Sequence, residues 1–80
     1  MSALFQEVRL HAGAGHMDEQ AVLVLRGGRL TAVLSHLSAM HGDLAGLWFV
    51  EAMFGISSSR SRHTFASPDE FVLWLEEEGL

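Results

Sequence analysis

Ser67-Pro68-Asp69-Glu70-Phe71-Val72-Leu73-Trp74-Leu75-Glu76-Glu77-Glu78-Gly79-Leu80 reads as one helix with both ends marked. Ser67 has the side-chain oxygen that accepts a backbone N–H three residues on, and Glu70 is placed to reach back to the N–H of Ser67. Pro68 suits the first helical position, where its missing N–H costs nothing. Gly79 can turn left-handed and close the last turn. Phe71, Trp74 and Leu75 fall on one stripe, with Val72 at its margin, while Glu76, Glu77 and Glu78 are solvated. Those three acids oppose the helix dipole, a small local cost. Everything before this helix reads better as strand.

Working back from the helix, Ala21-Val22-Leu23-Val24-Leu25 is apolar at every position, as in a strand covered on both faces. Arg26-Gly27-Gly28-Arg29 follows, and paired glycines suit a tight type I′ or II′ turn into a second strand, Leu30 to Leu37. Leu4, Val8 and Leu10 alternate with Phe5, Glu7, Arg9 and His11, the period-two pattern of a half-buried edge strand. Residues 12 to 19 and 38 to 43 read as connectors, and the serine-rich stretch Ile56 to Ala66 as a flexible surface loop. Residues 44 to 54 are ambiguous. Leucine, alanine, methionine and glutamate favour helix, with Asp43 as a cap, whereas the glycines at the ends and Trp48-Phe49-Val50 favour a buried strand. The strand reading gives the terminal helix a sheet wide enough to cover. The expected fold is a single α+β domain over residues 1–80. It is a small antiparallel meander of about four strands with one C-terminal helix on one face.

Composition narrows what such a domain does. The chain has 80 residues, no cysteine, 49% hydrophobic residues and a formal charge of −5, with every basic residue an arginine. A core this small is marginal, and disulfides and thiolate metal sites are excluded as reinforcement, leaving packing or oligomerisation. The acidic balance argues against nucleic acid and anionic membrane as partners. No apolar run approaches a membrane span, and the first residues lack a basic segment followed by an apolar one, so a cytoplasmic location is expected.

Five histidines raise a metal site. His11, His16 and Asp18 border the glycine-rich connector, and His36, His41 and Asp43 border the next. Neither set has the spacing that puts two histidines on one helical face, so no metal is expected. Gly13-Ala14-Gly15 opens like a dinucleotide fingerprint but has Asp18 at the third glycine position and a strand after it; no cofactor is expected. Serines 57 to 59 lack a nucleophile elbow, and no catalytic residue is assigned. Arg60, Arg62 and His63 are candidate anion contacts through guanidinium forks. Glu51 is a carboxylate inside an apolar segment; if buried it needs a partner, and Arg9, Arg29 and His36 are the candidates. No motif assigns the chain to a family of known activity.

The functional expectation comes from surplus apolar surface. One helix covers one sheet face only, and residues 21–25 and 47–54 are apolar toward both. Regular alternation puts Leu47, Phe49, Glu51 and Met53 on one side of the ambiguous segment, and Trp48, Val50, Ala52 and Phe54 on the other. A patch of roughly 600 Å² is worth about 15 kcal/mol on burial before association costs. The leading expectation is a noncatalytic homodimer with Trp48, Phe49 and Val50 as candidate interface residues. A second is an adaptor whose patch another protein covers. A third is a small-ligand binder or enzyme with a pocket bordered by Trp48, Glu51 and Trp74.

Overall fold

The type I′ turn at Gly27-Gly28 organises the sheet. In the computed structural model, which describes residues 3–11, 19–55 and 62–80, both glycines have positive φ, +61° and +77°. They join β2 (Glu19–Arg26) to β3 (Arg29–His36), and β1 (Ala3–Leu10) pairs with β2 along its whole length. After a short 3-10 segment, Ala39–Leu44, β4 (Trp48–Met53) returns antiparallel to β3. The two-residue β5 (Thr64–Phe65) pairs with β4, and α1 (Pro68–Glu77) closes the chain. The strand order is β1-β2-β3-β4-β5, a continuous antiparallel meander followed by one helix.

The helix forms as its sequence dictates. Ser67 has an extended backbone, and its Oγ accepts the Glu70 N–H at 3.1 Å. The reciprocal bond differs by one residue from the expected box: Glu70 Oε2 accepts the N–H of Ala66, not of Ser67, at 2.9 Å. At the other end Gly79 is left-handed, φ +73°, and the N–H groups of Leu80 and Gly79 bond back to the carbonyls of Leu75 and Glu76. That is a Schellman closure, with Leu80 packed against the core beside it.

Phe71 and Leu75 are fully buried on Val22, Val24, Ala32, Leu34 and Phe65, with Trp48, Val50, Met53, Val72 and Trp74 around them. The aromatic part of this core is tightly organised: Phe65 meets Phe71 edge-on with centroids 5.2 Å apart, and Trp74 lies 5.5 Å from Phe65. Arg26 ties the hairpin to the helix end by donating to the Leu80 carbonyl at 2.6 Å.

Three readings of the sequence are corrected. Thr64–Phe65, taken as part of a flexible loop, is a strand, and Phe65 at 1% exposure is a core residue. Its anchor is a run of apolar contacts over a distance that local serine content does not report. β4 is a strand with a bulge, since Leu34 pairs with Val50 while Val33 pairs with Ala52, leaving Glu51 as the extra residue. The bulge reverses the alternation beyond it, so Met53 joins the core and Ala52 the opposite face, the reverse of the regular pattern. Glu51 itself is exposed, and its partner is Ser35, whose hydroxyl donates to Oε2 at 2.6 Å, rather than Arg9, Arg29 or His36.

Candidate interaction surface

Sheet parity sorts the side chains. Val22, Val24, Ala32 and Leu34 face α1, so the residues between them, Ala21, Leu23, Val33 and Ser35, face the other way. Across the β1–β2 register, Val8 lies opposite Ala21 and Leu4 opposite Leu25, which adds Leu4, Val8 and Leu10 to this second face. Leu30 joins through its pairing with Leu25, and Phe49 through its pairing with Ser35. The only α-helix among the described residues therefore packs on one side, and the other side carries Leu4, Val8, Leu23, Leu25, Leu30, Val33 and Phe49. Leu4 is 68% exposed and Leu30 40%, and Leu23, Val33 and Phe49 are half-buried. Gln6, Glu19, Ser35, Glu51 and Thr64 are polar members of this face among the described residues.

The three expected interface residues separate. Phe49 stands on the open face, with its ring 6.3 Å from that of His63. Trp48 and Val50 are on the helix side, where Trp48 stacks on His36 with centroids 4.5 Å apart. The expected pocket is not assembled either: Trp48 and Trp74 border the core, whereas Glu51 is on the opposite face of the sheet. The anion group is likewise dispersed. Arg60 lies outside the described residues. Arg62 is committed to Glu70, donates through Nε to the Thr64 carbonyl at 3.2 Å, and lies 4.3 Å over the Phe65 ring. His63 is exposed beside Phe49.

Arg62–Glu70 and His41–Glu19 are local charge pairs on the described surface. The Glu70 carboxyl is held below the usual carboxylate range, first by the Ala66 N–H and then by the Arg62 guanidinium. His41 Nε2 lies 2.8 Å from Glu19 Oε1, joining the 3-10 segment to the start of β2. Among the described residues no three histidines or acids come together in a way that would hold a metal ion. His16, Asp18, Gly13-Ala14-Gly15 and serines 57 to 59 fall outside the described residues. A shallow depression of about 350 Å³ lies along the outer strand, lined by Glu7, Val8, Arg9 and Gln20. No helix among the described residues is long and apolar enough to cross a membrane.

The sequence showed the alternation of β1 but took its Glu7 and Arg9 side as the outer one, whereas Leu4, Val8 and Leu10 lie on the face away from α1; the hairpin, apolar at every position in Ala21–Leu25, carried no parity of its own. Sequence reasoning had no access to Leu30 as part of that face, because the bulge that sets the pairing of Leu25 with Leu30 leaves no mark in composition. Compared with known protein families, curated proteins and solved structures, the chain has no match.

Proposed function

We propose that this chain is a noncatalytic self-associating module whose working unit is a homodimer with open sheet faces stacked. The observation that carries this reading is the apolar sheet face opposite α1. Four strands spaced about 4.8 Å apart and about eight residues long at ~3.3 Å each give a footprint of roughly 500 Å². Two such faces bury on the order of 1,000 Å² together, the lower limit for a specific interface. Ala21 and Ser35 on this face are already fully buried, so the surface offered to a second sheet packed at about 10 Å is that of Leu4, Leu23, Leu25, Leu30, Val33 and Phe49. The face is isologous by construction, because the same residues come from each protomer about a two-fold axis.

Sedimentation of the full chain over a hundredfold range of concentration, with Phe49→Asp beside it, tests the reading. The wild type should sediment above the monomer mass. Phe49→Asp should lose that association while keeping the far-ultraviolet spectrum of the fold, because a buried unpaired carboxylate at an interface is costly. A wild-type monomer at all concentrations overturns the homodimer. If such a monomer captures a different protein on this face in a purified pair, the adaptor reading takes its place.

A further inference from the structure

We propose that β1 carries a second two-fold interface, in which the free edges of two protomers join antiparallel with Glu7 of each opposite Arg9 of the other. This goes beyond the face-stacked dimer and uses a different surface, so either can fail without the other. Together the two axes generate a closed tetramer, with sheets continuous across the β1 edges.

Hydrogen-bond parity identifies what the edge offers. The Leu37 N–H and carbonyl bond toward the β4 side, to Leu47 and Gly46, and the Thr31 carbonyl accepts from Phe54. Odd-numbered residues of β3 therefore direct their backbone groups at β4, and even-numbered ones direct theirs at β2. Val22 and Val24, opposite Leu34 and Ala32, spend theirs on β3, so the odd residues of β2 bond to β1. Those odd residues lie opposite Leu4, Gln6, Val8 and Leu10. Alternation then leaves the N–H and carbonyl groups of Phe5, Glu7 and Arg9 pointing out of the sheet. β1 is eight residues long, pairs with β2 without a register shift, and contains neither proline nor lysine. It lacks most of the devices that blunt an exposed edge. The opposite edge, β5, has two residues.

The charges select the register. An antiparallel self-pairing must set outward residues against outward residues, so odd positions face odd positions. With Val8 opposite Val8 on the axis, Glu7 meets Arg9 twice by symmetry, and Phe5 meets His11. Moving the axis by one residue in either direction puts Glu7 on Glu7 or Arg9 on Arg9. A half-step in between pairs outward groups with groups already spent on β2. A parallel arrangement sets each charge beside its own copy. A register centred on Gln6 also avoids like charges but sets Glu7 against Phe5 and Arg9 against Ala3; the Val8 register alone gives both charges an opposite partner within β1, and it is centred on the depression lined by Glu7, Val8, Arg9 and Gln20. Glu7 and Arg9 are both exposed, and neither forms an ion pair among the described residues. In this register the Val8 pair is of the close, non-hydrogen-bonded kind, which favours packing of the two side chains on the open face.

The test is a charge-reversal cycle on the full chain, read by sedimentation and native mass spectrometry. Glu7→Arg and Arg9→Glu each replace two attractive cross-strand pairs by two repulsive ones, and should each raise the edge dissociation constant by roughly tenfold or more. The double variant Glu7→Arg/Arg9→Glu restores both pairs and should return to within about threefold of wild type. Phe49→Asp separates the two interfaces: a wild-type tetramer should become an edge-joined dimer, and Glu7→Arg a face-stacked one. Single reversals that leave the assembly unchanged overturn the edge pairing while the face dimer stands. A double variant as weak as the singles also overturns it, because the charges would then act without facing each other. An assembly insensitive to Phe49→Asp but sensitive to the reversal cycle keeps the edge and removes the face.

Discussion

Self-association through the sheet predicts a melting temperature that depends on concentration, and the size of the dependence follows from the chain. Folding of a dimer is linked to its assembly, so a hundredfold dilution lowers its stability by RT ln 100, about 2.7 kcal/mol per dimer. Two protomers of 80 residues unfold together. At about 2.1 cal/mol/K per residue their combined entropy of unfolding near the midpoint is roughly 0.34 kcal/mol/K. The midpoint should therefore fall by about 8 °C across the dilution. A tetramer dissociating on unfolding loses half as much again per protomer, which raises the expected fall to about 12 °C. Scanning fluorimetry on Trp48 and Trp74 reads the transition, since both indoles border the core that unfolding exposes. The double variant Glu7→Arg/Phe49→Asp, with both interfaces removed, supplies the internal control, because a monomer melts at one temperature whatever its concentration. A midpoint constant within about 1 °C over the hundredfold range, together with a monomer mass, refutes the self-association argument.

Three further outcomes test the fold that carries these surfaces. Ser67→Ala removes the acceptor of the Glu70 N–H and should cost about 1 kcal/mol by chemical denaturation. Gly28→Val should destabilise by about 1–2 kcal/mol or more. Nothing approaches a Cβ at that position, so the cost comes from the +77° φ alone and Gly28→Asn should recover much of it. Glu70 has a carboxyl pKa depressed below the usual 4.5, so its stabilisation is complete above that value and is lost as pH falls through the lower folded-state value. Glu70→Gln should accordingly lower the melting temperature at neutral pH and flatten the acid limb below about pH 4.5; parallel curves for the two proteins would contradict the assignment.

What the sequence disclosed was what local chemistry encodes. Ser67, Pro68 and Gly79 mark a helix through hydrogen-bonding capacity and φ preference, and the structure ends the helix as those residues require. Gly27-Gly28 marks a turn for the same reason, and Leu4 to His11 announce a strand by period. What stayed hidden depends on pairing across the sheet. Phe65 is a core residue because β4 passes beside it, and nothing in Arg62-His63-Thr64 reports that neighbour. Glu51 was conspicuous as an acid in an apolar run, and its conspicuousness was rightly noticed but wrongly explained. It marks an insertion in the ladder, not a buried charge seeking a cation. The pocket reading failed on the same strand: regular alternation already sets Trp48 and Glu51 on opposite sides of β4, and in the structure Glu51 bonds to Ser35 on the face away from Trp48 and Trp74.

The bulge at Glu51 links the two faces of the sheet. Without it, the flexible side chain of Met53 would project from the open face, and Ala52 would sit beneath the helix, where a methyl group fills little of the space against Phe71 and Trp74. With it, Met53 fills the core side and Ala52 takes its place on the open side opposite Val33. Methionine is an adaptable filler of irregular core space, and alanine leaves a flat surface on which another sheet can lie. The exposed carboxylate that results is held at the margin by Ser35, a buried hydroxyl that would otherwise lack this acceptor. A single inserted residue thus improves the packing under α1 and flattens the face away from it, at the cost of one acid that any stacked partner must leave in water. Glu51 lies beside Ala52, opposite Val33, and reaches Ser35 on the middle strand, so that requirement shifts the dry part of a stacked interface toward the β1–β2 side, at Leu4, Leu23 and Leu25.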